Sequence, residues 1–209
     1  LGVYVFAAHS DQAARQNWAA PGSYAVAIGA PVFTAKTGFV YNGSADYHDT
    51  QLAMGGASDQ NPYTTTKDIS AMVWPGTEDQ PTGATALGDN VISVETNRSP
   101  TQAALRTGTT NGDVVAIPAL GTPLGFVRVA DDRATAYVAG SNSATIVRAR
   151  LTGYTQRLMY IGANNTSAGA ASFYAGTIRA AQFGKSLNSV QMLAMNAAMQ
   201  RFFAAIKGA

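Results

Sequence analysis

The chain has 209 residues, of which 46% are hydrophobic and only 12% charged, with 14 basic against 12 acidic residues for a net charge of +2. That is enough apolar material for one substantial core, about half the usual charged fraction of a soluble domain, and no basic stripe of the kind that binds nucleic acid. Cysteine is absent, which excludes a disulfide scaffold, and no apolar run reaches the roughly 18 residues of a membrane span.

Residues 1–8, LGVYVFAA, predict a buried strand. The following HSDQAARQNW predicts a short helix, with Ser10 as N-cap, Asp11 at the positive end of its dipole and Pro21-Gly22 as its stop. From Tyr24 to Leu187 the chain breaks into short runs such as SYAVAIG, PVFTAKTG, NVISVETN, DVVAIPAL and RATAYVAG. Most alternate with period two or are β-branched, most end at Gly, Pro, Asn or Asp, and they recur roughly every 8 to 12 residues. This is the pattern of an all-β sandwich, and no long helical period interrupts it to suggest βαβ units.

Residues 186–208, SLNSVQMLAMNAAMQRFFAAIKG, change character and predict a helix capped by Ser186 or Ser189, with Gly208 past its end. Met192, Met195, Met199, Phe202, Phe203 and Ile206 cover one wide apolar face. That face is expected to pack on the sandwich itself or, through Met195, Met199, Phe202 and Phe203, on a neighbouring subunit. The whole chain reads as a single unit over 1–209: an N-terminal strand and helix (1–23), a sandwich (24–187) and a C-terminal helix (188–207).

The segment GFVYNGSADYHDT, residues 38–50, holds Asp46, His48 and Asp49 within four positions. Asn42-Gly43 between two strand-like runs predicts a type I′ hairpin. Alternation along its second arm puts Asp46 and His48 on one face and Asp49 on the other, with Tyr47 in the core. The three polar groups are not expected to converge, and a metal would need further ligands from elsewhere.

The same segment resembles the opening of laminin G-like, concanavalin A-like jelly rolls. ISAMVWPG, FVRVADDRATAYVAG, RLMYIGANN and FYAGTIRAAQFGKSLNSVQMLAM resemble later strands and the closing helix of that family. The likeness spans residues 24–200 and implies an antiparallel jelly-roll β-sandwich. Modules of this family often hold Ca²⁺ at a loop rim, which would draw on Asp46, Asp49, Asp131 or Asp132. The calcium-loop pattern D-x-[DN]-x-[DN]-G is absent, so no cofactor is expected. Residues 13–50 also resemble modules of tailed-bacteriophage virion proteins, including tail and fibre components. That resemblance implies a virion part assembled in bacterial cytoplasm, a homo-oligomer whose partners are other virion subunits and host-surface glycan.

Glycosidases on this scaffold need a pair of carboxylates about 5 to 10 Å apart. The only glutamates are Glu78, in a predicted loop, and Glu95, alone on its strand, and no E-x-D-x-x-E motif occurs. G-x-S-x-G, H-E-x-x-H and the phosphate-cradling loop are missing too. A non-catalytic module is therefore expected, with a polysaccharide-degrading enzyme or a purely structural assembly subunit as alternatives. For a glycan site the candidates are Trp74 and Tyr63 as stacking rings, and Asn164, Asn165 and Tyr174 around the loop ANNTSAGAAS. The competing reading places Trp74 in the core and the two asparagines in an ordinary turn.

Overall fold

The computed structural model describes residues 1–53, 69–76, 84–89, 92–107, 113–130, 133–139, 141–147 and 157–207. In chain order these form β1 (Gly2–Val5), α1 (Asp11–Arg15), β2 (Val26–Ile28), β3 (Val32–Thr34), β4 (Gly38–Asn42), β5 (Tyr47–Ala53) and β6 (Ile69–Pro75). Then come β7 (Leu87–Gly88), β8 (Ile92–Ser99), β9 (Gln102–Thr107), β10 (Asp113–Ala116), β11 (Leu124–Ala130), β12 (Arg133–Val138) and β13 (Ser141–Val147). The chain closes with β14 (Leu158–Ile161), β15 (Asn164–Thr166), β16 (Gly169–Ala171), β17 (Ala175–Gly184) and α2 (Ser189–Lys207).

The strands make two sheets. The first is eight-stranded, in the order β13-β12-β11-β6-β17-β4-β3, with β1 also on β17. The second is nine-stranded, in the order β10-β9-β8-β7-β14-β5-β2, with β15 and β16 joined to it through β7. Among the described residues the paired strands are antiparallel except where Asn164 meets Gly88, and the isolated Thr85–Phe173 bridge is parallel as well. β17 is the spine of the first sheet. One flank pairs with β6; the other takes β4 along Ala175–Ile178 and then β1 along Ala180–Phe183. Gly38 (φ +129°) starts β4 against the Ile178 carbonyl, where any Cβ would collide.

Period-two alternation sorts the side chains into layers. Phe6, Phe39, Ile69, Leu105, Phe126 and Met159 meet between the sheets. β6 is buried along its whole length, because its alternate residues have different covers. Ile69, Ala71 and Val73 face the core between the sheets, while Met72 and Trp74 join Val5, Val127 and Tyr137 beneath α2. Met192 and Phe203 of α2 are buried there, with Met195, Met199, Phe202 and Ile206 partly buried beside them. The apolar face of the helix is thus seated on the chain's own first sheet, the first of the two packings expected for it, with Phe203 buried and Met195, Met199 and Phe202, the residues named for a subunit contact, partly buried.

Local signals behave as their chemistry dictates. The Ser10 hydroxyl accepts from the Ala13 N–H at 3.3 Å and caps α1. At α2 the cap is Asn188 rather than Ser186 or Ser189: its Oδ1 accepts from the Gln191 N–H, and Gln191 Oε1 accepts from the Asn188 N–H, both at 2.9 Å. This is a reciprocal capping box with Asn in the Ser/Thr role.

The predicted hairpin over 38–50 is not one. β4 belongs to the first sheet and β5 to the second, and they do not pair. Of the two turn residues only Gly43 takes positive φ, +77°, whereas a type I′ turn needs both. Asn42 Oδ1 instead accepts from the backbone N–H groups of Ser44 (2.8 Å) and Ala45 (3.1 Å). This Asx turn is the corner at which the chain crosses from one sheet to the other.

Candidate functional site

Of the residues singled out for glycan binding, the four that are described are buried. Trp74 is 1% exposed, and its indole N–H donates to Asn196 Oδ1 at 2.9 Å beneath α2. Tyr174 is fully buried, edge-on to Tyr41. Asn164 and Asn165 are buried as well, and the Asn165 amide donates to the Leu158 carbonyl at 2.9 Å. Burial removes each of these four from contact with a sugar. Tyr63 lies outside the described residues, as do Glu78, Asp131 and Asp132.

The two proposed metal carboxylates are likewise engaged elsewhere. Asp46 is buried and accepts from the Ala30 N–H at 2.8 Å. Asp49 accepts from the Gln51 N–H at 2.9 Å. Among the described residues no three His, Asp or Glu side chains gather at one point.

His48 faces inward, reversing the expected sides of β5. It is fully buried between Phe39 and Phe6, at ring-centroid distances of 4.4 and 5.1 Å. Its Nδ1 shares a 2.9 Å hydrogen bond with the Tyr41 hydroxyl, and its Nε2 has no partner. Burial first, and the Arg15 charge second, lower its pKa to about 3, so the ring is neutral at pH 7. Burial, and next the Asp46 charge, push the Tyr41 phenol well up.

With His48 and Thr50 turned to the core, Tyr47 and Asp49 face outward from the second sheet, half-buried. β14 repeats the pattern: Met159 and Ile161 are buried, while Leu158 and Tyr160 face out. Register sets Asp49 between Tyr160 on β14 and Val26 on β2, and sets Tyr47 opposite Ile28. The Tyr47 ring lies 4.6 Å from that of Tyr160 and 6.2 Å from that of Phe173. Val26 and Ile28 are 45% and 38% exposed at the edge of the same face.

The result is an aromatic surface of Tyr47, Tyr160 and Phe173, with one carboxylate in it. Gln51 (φ +59°) holds a left-handed conformation that is uncommon for a non-glycine residue. It falls where the β5–β14 register shifts, and its N–H ties down Asp49. Such bulges re-aim side chains at sheet surfaces. Burial raises the Asp49 pKa, offset in part by the hydrogen bonds from Gln51.

Sequence reasoning missed this trio because it put Tyr47 in the core. The signal for Tyr160 was present in RLMYIG: Met159 and Ile161 flank it at alternate positions, so if they are core, Tyr160 is not. A separate cleft of about 270 Å³ lies between Trp18 and Phe202, with His9 and Lys36 among otherwise apolar walls.

The described residues form a two-sheet, largely antiparallel β-sandwich with a short N-terminal and a longer C-terminal helix. No family model matches the chain, and no curated protein matches it. Among solved structures it is similar to Trypanosoma rangeli sialidase in complex with 2,3-difluorosialic acid: TM-score 0.64, 15% identity, over 95% of this chain and 32% of that one. The chain thus spans about a third of the sialidase. It is also similar to domain 4 of AbnA, a GH43 extracellular arabinanase from Geobacillus stearothermophilus, in complex with arabinotriose: TM-score 0.55, 17% identity, over 93% of this chain and 97% of that one. At such identities the likeness is one of fold.

Proposed function

We propose that the chain is a non-catalytic glycan-binding module whose site is the outer face of the second sheet. The observation that carries this reading is the half-exposed ring group of Tyr47, Tyr160 and Phe173 beside Asp49. Rings of this kind stack on the apolar faces of sugars, and an adjacent carboxylate accepts hydrogen bonds from hydroxyls. The fold agrees, since a domain of closely matching length is described in complex with arabinotriose. A purely structural assembly role is less favoured because the apolar face of α2 is seated on the chain's own first sheet.

The virion setting rests on the resemblance of residues 13–50 alone. In a tail or fibre with several copies side by side, weak single sites would combine through avidity.

The test is calorimetric titration with neutral oligosaccharides, arabinotriose among them, after a glycan-array screen. Tyr160→Ala should weaken binding about tenfold or more, the loss of about 1.4 kcal/mol of stacking, with the melting temperature little changed because the ring is half-exposed. Reducing-end release from the bound glycan should stay at the level of a protein-free control. Silence across the array overturns the reading.

A further inference from the structure

Resting on the glycan-binding reading, we infer that this face selects neutral sugars and turns away carboxylated ones such as sialic acids and uronates. Asp49 stands in the middle of the surface. Its register partners are Tyr160 and Val26, its neighbours outward along β5 are Tyr47 and Gln51, and Ile28 lies opposite Tyr47. None of these carries a positive charge. Recognition of a sugar carboxylate calls for the opposite arrangement, an arginine fork or a lysine at the site.

The electrostatics agree with the register. After burial, the groups that raise the Tyr160 pKa are the Asp49 carboxylate and then the Tyr47 phenol. The Tyr4 phenol beneath is also raised, by burial first and by Asp49 next. A ligand laid on Tyr47 and Tyr160 therefore meets the Asp49 carboxylate, whose register partners Tyr160 and Val26 carry no charge to offset it. Hydroxyls donate to that carboxylate; a second carboxylate approaching from solvent is repelled by it, and dissolved salt screens that repulsion.

The experiment titrates the full chain with matched pairs: lactose against sialyllactose, xylo-oligosaccharides against their glucuronic-acid-substituted forms, and galactan against polygalacturonate fragments. Within any pair that binds, the carboxylated member should be about tenfold weaker or worse at low salt. The gap should narrow at high salt, while neutral binding holds steady. Asp49→Asn keeps an oxygen for the Gln51 N–H and should narrow the gap at low salt as well. If carboxylated members bind as tightly as their neutral partners or more so, the selectivity is overturned and the glycan-binding reading stands. If no pair binds in either form, the underlying reading fails and this inference with it. Equal gaps in wild type and Asp49→Asn would overturn the role given to Asp49.

Discussion

Trp74→Ala is expected to lower the free energy of unfolding by about 3 to 5 kcal/mol, the range for removing a fully buried large aromatic. Trp74 is 1% exposed and sits among Val5, Met72, Val127, Tyr137 and Phe203, where the first sheet meets α2. Its indole N–H also satisfies Asn196, whose own amide donates to the Ala139 carbonyl at 2.9 Å. The truncation opens a cavity and strands the Asn196 oxygen, a further loss of about 1 to 3 kcal/mol for an unsatisfied buried acceptor.

Urea denaturation measures the total, and hydrogen exchange locates it. Amides of α2 should lose protection before those of β6 and β17, since the helix is seated largely through this contact. Trp74→Phe separates the two contributions: it keeps most of the packing and loses the hydrogen bond, so it should cost less than half as much. A loss under about 1 kcal/mol for Trp74→Ala, with α2 protection unchanged, would show that the helix is held by something else. The Arg179 guanidinium, 3.9 Å above the Phe203 ring, is then the next contact to remove.

Acid should destabilise the protein through His48. Its native pKa is about 3 because the ring is buried among aromatic carbon with Arg15 nearby, against about 6.5 in an unfolded chain. Between those values the unfolded state binds a proton that the native state does not. Stability from this group is complete above about pH 6.5 and falls as pH drops toward 3, at roughly 1 kcal/mol per pH unit. Asp49 acts with the opposite sign, since its native pKa is raised: in the window just above the ordinary aspartate value, the native state binds more proton than the unfolded one.

The measurement is the unfolding free energy from pH 7 to pH 4 for wild type and His48→Leu. Asp49 and every other titrating group are common to both proteins, so the difference in slope belongs to His48. Wild type should lose stability with falling pH faster than the variant. Parallel curves would mean that His48 is protonated in the native state or is reached by water, contrary to its full burial.

Much of the fold is readable from local chemistry. Short runs of alternating and β-branched residues broken by Gly, Pro and Asn give antiparallel strands wherever they occur, because the pleat repeats every two residues. The Ser10 cap and the apolar stripe from Met192 to Ile206 call for helices at the two places where helices are found. Residue spacing also shows that Tyr47 and His48 must face opposite ways.

Which way each faces is not a local property. Alternation divides a strand into two faces but does not say which one meets a second layer. On β5 the core side is set by Phe6 and Phe39 from the other sheet, which enclose His48 and leave Tyr47 and Asp49 outward. On β6 both faces are covered, one by the opposing sheet and one by α2, so Trp74 beside Pro75-Gly76 has no wet side despite its position at a strand end. Strand and helix periods depend on neighbours a few residues away, so they can be read locally. That residues 38–50 turn a corner between sheets, and that Tyr160, 113 residues beyond Tyr47, comes to lie against it, follows from how the layers stack and not from the order of residues along either strand.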